Sequence, residues 1–289
     1  VSIKTVSRAI HGQSEVSEAT RERILQVANE LGYYPNLAAR SLRTSKTYTV
    51  GYVIPDVTNT FFGEVAVAME KYFSPLGISI LVAFSHGEEE DEQEALRSLV
   101  AKQVDGIVLA TVASPGEHVA SEVLDRGTPL VVIDNIVQGQ ETDLVLQDDV
   151  HGAQLLTQHL LDQGYERIAC VTGHLSETSG SRRLEGYKQA LQEAGQPIDP
   201  SLVAEGDWTI ASGYEATRRL IEDNAQKPTA IFYSNSLMAM GAYKALKQLR
   251  LQIPQEIGIV GFDELEVIEA LDPSLTTLGK VDDQIGELA

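Results

Sequence analysis

VSIKTVSRAIHGQSEVSEATRERILQVANELGYYPNLAARSLRTSKTYTVGYVIPD, residues 1–56, contains two kinds of protein. Up to Lys46 the pattern is basic and helical; from Thr47 it turns into an apolar strand. Residues 1–46 hold Lys4, Arg8, Arg21, Arg23, Arg40, Arg43 and Lys46 against Glu15, Glu18, Glu22 and Glu30, a net charge of +3. The remainder carries 15 basic and 38 acidic side chains, so the basic head precedes a body of net charge −23. That division suits a head that meets a polyanion and a body that stays soluble and is repelled by it.

Within the head, Val1–Ile10 reads as a helix with Val6, Ala9 and Ile10 turned inward together. Ser2, Thr5 and Ser7 are poor helix-interior residues, because their hydroxyls compete for backbone hydrogen bonds. The same hydroxyls suit a helix lying along a phosphate backbone. Lys4 and Arg8, four residues apart on one face, are placed to read guanine edges in a major groove. Gly12 ends this helix, Ser17 is a cap for the next, and Ile24, Leu25, Val27, Ala28 and Leu31 form its apolar stripe. Gly32 is the expected stop, and Pro35 forbids continuation.

From residue 48 onward, short apolar runs alternate with amphipathic helical ones. The runs are Thr49–Ile54, Ile78–Ala83, Gly106–Ala110, Pro129–Ile133, Ile168–Val171, Ala230–Tyr233 and Ile257–Gly261. They are apolar throughout rather than alternating, which indicates parallel sheets covered on both faces. The count exceeds one doubly wound sheet, so the expectation is an α/β core of two Rossmann-like subdomains. Asp148-Asp149 is the natural first crossing between them. Ligands in such folds bind beyond the carboxyl ends of strands.

The head, the segment after it and the first core strand together resemble the headpiece, hinge and core start of the lactose-repressor (LacI/GalR) family of bacterial transcription regulators. The similarity continues along nearly the whole chain. It implies an all-α helix-turn-helix headpiece fragment with a hinge helix, then a two-subdomain core like the type I periplasmic binding proteins. The implied boundaries are 1–46 for the headpiece with the hinge at 35–46, 47–148 plus 279–289 for the N-subdomain, and 149–278 for the C-subdomain. On this resemblance Ser2, Ile3, Lys4, Thr5, Ser7 and Arg8 belong to the recognition helix, with Ile3, Lys4 and Arg8 reading bases. Asn36 and Leu42 belong to the DNA-contacting hinge, which pushes Leu42 into the minor groove. His11 stands where the family usually has asparagine. The family's first helix and its Ala-Gly-Val turn have no counterpart here, and Ile285–Ala289 ends within a helical pattern. The sequence is therefore expected to be truncated at both ends.

The resemblance also implies a ligand cleft, and the polar residues at strand ends populate it. Asp56–Phe62 looks like the family's N-P-F-F segment, contributing Asn59 and Phe62; Phe62 either stacks on a ligand or staples the following helix. Asp134 either accepts from ligand hydroxyls or caps a strand end. Arg183 looks like the family's ligand-facing arginine, the alternative being a surface salt bridge. Trp208, the single tryptophan, suits the apolar face of a sugar ring or core packing. Asn235 and Asp263 match ligand-bonding strand ends, and Lys280 replaces a residue that is often glutamine. Arg183 and Lys280 hint at an anionic effector such as a sugar phosphate, whereas Asp134 and Asp263 favour a neutral polyol.

Other chemistry finds little support. The six histidines show no metal-ligand spacing, and Cys170 is a lone cysteine in an apolar run, so no metal site is expected. No P-loop or Gly-x-Ser-x-Gly elbow occurs, and neither a cofactor nor an enzyme activity is expected. No membrane span or signal peptide is present, and the expected location is the cytoplasm. The reading is a ligand-responsive repressor, bound as a homodimer or tetramer to a pseudo-palindromic operator, with a sugar or sugar derivative as effector. The alternative is a periplasmic-type solute receptor of a transport system.

Overall fold

A computed structural model describes residues 1–10, 14–33, 41, 45–112, 120–137, 141–264, 272–279 and 282–289. They form two compact units, Val1–Thr47 and Tyr48–Ala289. Asn36, Leu42 and Lys280, with most of the hinge segment 35–46, lie outside the described residues.

The first unit contains α1 (Ile3–Ile10) and α2 (Glu18–Glu30). Ser2 caps α1: its hydroxyl accepts the Thr5 N–H at 3.1 Å. Ala9 is buried, with Val6 and Ile10 half-buried, as the inward face requires. Arg8 pairs with Glu15 at 2.5 Å, while Ile3 and Lys4 are exposed. Ser17 occupies the cap position of α2, but its hydroxyl bonds Thr20 Oγ1 at 2.9 Å instead of a backbone N–H. The helix ends as expected at Gly32 (φ +61°), where Tyr33 N–H donates to Ala28 O at 2.8 Å. The apolar stripe of α2 is not enclosed: Leu25, Val27 and Leu31 are all exposed.

The second unit holds two five-stranded parallel sheets. In the first, β1 (Thr49–Ile54), β2 (Ser79–Phe84), β3 (Gly106–Ala110), β4 (Leu130–Ile133) and β5 (Asp143–Val145) lie in the order β2-β1-β3-β4-β5. In the second, β6 (Ile168–Thr172), β7 (Val203–Glu205), β8 (Ala230–Tyr233), β9 (Gly258–Gly261) and β10 (Thr276–Thr277) lie in the order β10-β9-β8-β6-β7. Read from its other edge, the second sheet repeats the topology of the first. In each, the order reverses beside the first strand, the point at which doubly wound folds open a crevice.

Burial explains the strand composition. Tyr52, Val53 and Ile54 of β1, and all of β6 and β8, are buried because helices cover both faces. Around the first sheet lie α3 (Thr60–Phe73), α4 (Glu89–Ala101), α5 (Ala120–Asp125) and α10 (Asp282–Leu288). Around the second lie α6 (Asp149–Asp162), α7 (Thr178–Glu193), α8 (Ile210–Glu222) and α9 (Ser236–Gln248). After β10 the chain returns to the first sheet, where α10 packs on α3. Gly286 permits that approach, since a Cβ there would lie 2.8 Å from the Val65 carbonyl oxygen. The single Cys170 is fully buried in β6, as an inert thiol should be.

Candidate effector-binding cleft

Beyond the carboxyl ends of the strands, the two halves of the second unit enclose a cavity of about 460 Å³. Nearly every strand delivers a lining residue. Asp56 follows β1, His86 follows β2, Val112 follows β3, Asp134 and Asn135 follow β4, and Gln147 follows β5. From the second sheet, His174 follows β6, Asp207 and Trp208 follow β7, Asn235 follows β8 and Asp263 follows β9. Asn59, Phe62, Asp134, Arg183, Trp208, Asn235 and Asp263 are therefore brought together by the fold.

Arg183, on α7, is the electrostatic centre. It is only 4% exposed, so it is no surface residue. Its Nε donates to Asp149 Oδ1 at 2.8 Å, and its Nη1 donates to the Ser234 carbonyl at 2.6 Å. Nη1 also lies 3.8 Å from Asp263 Oδ1, and Cζ sits 3.8 Å from the centroid of the Phe262 ring. Burial alone would lower its pKa, but Asp149, Asp263 and Asp134 outweigh it and keep the guanidinium charged.

The carboxylates respond to the same burial. Asp134, in the left-handed region at φ +67°, is pushed up to about 7 by desolvation and by Asp149 and Asp263, against the pull of Arg183. Glu177, at the N-terminus of α7, is also pushed up to about 7, first by desolvation and then by Asp134. Asp263 is raised by burial, with Arg183 opposing. Both Asp134 and Glu177 bind protons more tightly folded than unfolded. The stability they supply is thus complete below about pH 4 and is lost as pH rises through about 7. Thermal melts of the ligand-free protein should therefore fall between about pH 5.5 and pH 8, and Asp134→Asn should flatten the slope. A midpoint independent of pH across that window would contradict the assignment.

Trp208 is locked between elements. Its Nε1–H donates to Glu177 Oε2 at 2.7 Å, and its carbonyl accepts from Asn235 Nδ2 at 2.9 Å. Asn235 meanwhile caps α9 by accepting from Met238 N–H at 2.9 Å. Asn59 caps α3 in the same way, accepting from Phe61 N–H at 3.2 Å. Phe61 and Phe62 pack edge to face, with centroids 5.0 Å apart, and both are buried. Phe62 thus anchors α3 in the core and also lines the cavity.

Several cleft residues escaped sequence reasoning. Asp149, the main partner of Arg183, reads in sequence only as part of the first crossing between the subdomains. Asn135 bridges the halves: its Oδ1 accepts from Ser179 N–H at 3.0 Å and Ser179 Oγ at 3.1 Å, while Nδ2 donates to Thr111 O at 3.0 Å. Glu177, which no sequence motif singles out, lines the cavity and accepts the Trp208 indole N–H. Asp56, whose pKa is lowered by the Thr58 hydroxyl and N–H, and His86 also line the cavity.

Comparison with known proteins fits this geometry. Residues 47–287 match the profile of "periplasmic binding proteins and sugar binding domain of LacI family". Residues 1–36 match "bacterial regulatory proteins, lacI family". The ribose operon repressor of Escherichia coli is 35% identical over 291 residues, spanning 100% of this chain and 87% of that protein. Catabolite control protein A of Priestia megaterium is 35% identical over 290 residues, again covering 100% and 87%. Among solved structures, the Lac repressor bound to ONPG superposes with a TM-score of 0.85 at 27% identity, covering 100% of this chain and 87% of that one. The match over residues 1–36 is to a module of regulators, which decides against a transport receptor. The chain belongs to the LacI family of bacterial regulatory proteins.

Proposed function

We propose that this chain is a sequence-specific DNA-binding repressor whose operator affinity is set by a sugar or sugar derivative held in the cleft. The observation that carries the reading is the cavity itself, polar at the strand ends and lined by both halves of the core. A ligand there makes different contacts in open and closed arrangements, which is what shifting a conformational population requires. Asn59, Phe62, Asp134, Arg183, Trp208, Asn235 and Asp263 hold the ligand; Lys280, which the family resemblance adds to them, lies outside the described residues. The domain division at 46/47, 148/149 and 278/279 belongs to this reading. So do a homodimeric or tetrameric assembly, a cytoplasmic location and the absence of catalysis. No described helix is long and apolar enough to cross a membrane.

The basic face of α1 reads DNA. Exposed Ile3 and Lys4 and the half-exposed Arg8 meet base edges, while Ser2, Thr5 and Ser7 meet phosphates. Replacing Arg8 with Ala should cost about 1–3 kcal/mol of operator binding and relax specificity at one position. The melting point of the core should not move. Leu42→Ala should weaken operator binding and spare ligand binding; unchanged DNA affinity would contradict the hinge role.

The experiment is a titration of a selected DNA duplex with the protein at increasing salt, with and without saturating sugar. The expected result is a steep loss of affinity with salt and a shift in affinity on adding ligand. A duplex bound equally with and without every sugar that binds the cleft would overturn the proposal.

A further inference from the structure

We propose that the Asp134–Glu177 side of the cleft receives a protonated amine, so that the preferred effector is an amine-bearing sugar rather than a phosphorylated one. This inference rests on the cleft being the effector site, and it names the chemistry of its occupant.

The argument turns on which cleft charges are already used. Asp56 accepts from its own loop, at 2.8 Å from Thr58 N–H and 2.5 Å from the Thr58 hydroxyl. Asp207 does the same with Thr209, at 3.0 Å and 2.5 Å. Arg183 is committed to Asp149, the Ser234 carbonyl, Asp263 and the face of Phe262. Asp134 has a weak partner in Asn135 Nδ2 at 3.4 Å, and Glu177 has the Trp208 indole N–H at 2.7 Å and the Asn135 side chain, all of them neutral. Among the described residues, no ion pair includes Asp134 or Glu177. The cleft therefore offers two desolvated carboxyls without a cation of their own.

An incoming phosphate would meet five lining carboxyls and one guanidinium already engaged on several sides. Its desolvation would go uncompensated. An ammonium has three donors and no acceptor, which matches a pair of carboxylates that are acceptor-only once ionised. The adjoining indole of Trp208 offers an apolar surface to the ring that carries the amine. Both carboxyls hold protons up to about pH 7 in the empty cleft. The charged groups facing them are Arg183, Asp149 and Asp263 around Asp134, and Asp134 and Arg183 around Glu177. His86 and His174 line the same cavity.

The test is calorimetric titration of the full chain with D-glucosamine, D-galactosamine and D-mannosamine, each against its parent hexose and hexose 6-phosphate. At about pH 7.5, at least one amino sugar should bind more than about tenfold tighter than its parent. The advantage should shrink at about pH 6, where the carboxyls are protonated. Glu177→Gln keeps an acceptor for the indole N–H but removes the charge, so the ratio of amino-sugar to parent-hexose affinity should fall most of the way to one. If every amino sugar is matched or beaten by its parent hexose or 6-phosphate, or no amino sugar binds at all, the inference is overturned. A neutral hexose that binds pH-independently and more tightly than every amino sugar would overturn it while leaving the cleft as the effector site. The cleft assignment fails on a separate result, an operator complex that no cleft-binding sugar alters.

Discussion

Arg183→Met should destabilise the core by about 3–5 kcal/mol, because it removes the cation from a buried group of carboxylates and leaves them unpaired. Asp149 is 2% exposed and loses its 2.8 Å partner outright, while the Ser234 carbonyl loses its donor. Asp134 and Asp263 lose the one charge that opposed their burial. For a domain of this size the melting point should drop by roughly 10 °C. The deficit should narrow on acidification, as the orphaned carboxyls take up protons. Arg182→Met, one residue away and without a cleft contact, should stay within about 0.5 kcal/mol of wild type. Chemical denaturation of the three proteins checks this; an Arg183→Met variant as stable as Arg182→Met would show that the guanidinium does not neutralise the cleft.

Gly173→Ala should empty the indole from the cleft without dismantling the sheet. A Cβ at this position would lie 1.9 Å from Trp208 Cζ2 and 2.1 Å from Cε2. A shift of a few tenths of an ångström would not relieve contacts this short, and a larger one pulls the indole N–H off Glu177. It must leave, breaking the bond to Glu177, while the backbone carbonyl can keep Asn235. Overpacking of this kind costs about 1–3 kcal/mol, and cleft binding should fall further than stability does. Trp208 is the only tryptophan, so its emission reports the event directly. The variant should show a red-shifted, more quenchable emission with the far-ultraviolet dichroism unchanged. Emission identical to wild type would mean that the indole does not rest against Gly173.

The core architecture was legible because the central strands are buried on both faces and so appear as unbroken apolar runs. Thr49–Ile54, Gly106–Ala110 and Ala230–Tyr233 begin and end where the runs do. The edge strands Asp143–Val145, Val203–Glu205 and Thr276–Thr277 were missed. With two or three residues each, and one side facing solvent, they leave no apolar signature. The polar residues at strand ends could be listed because parallel sheets place their ligands there. Their partners could not. Asp149 and Arg183 are 34 residues apart, and Asn135 and Ser179 are 44 apart, so their pairing exists only in the fold. Glu177 illustrates the loss best: in sequence it is an acid in a Ser/Thr-rich turn, and folding makes it a desolvated wall of the cleft. At the head, the capping signal at Ser17 misled in detail, since the hydroxyl prefers Thr20 to the backbone.

The central claim is that one ligand in the cleft sets the affinity of the head for DNA, and thermodynamic reciprocity gives its most direct test. Ligand affinity, read from Trp208 emission, would be measured on free protein and on protein saturated with a duplex selected from a random pool. The account predicts that DNA changes ligand affinity by the same factor by which ligand changes DNA affinity, about fivefold or more. Equal ligand affinity with and without bound duplex would contradict it, because the two sites would then share no coupling free energy.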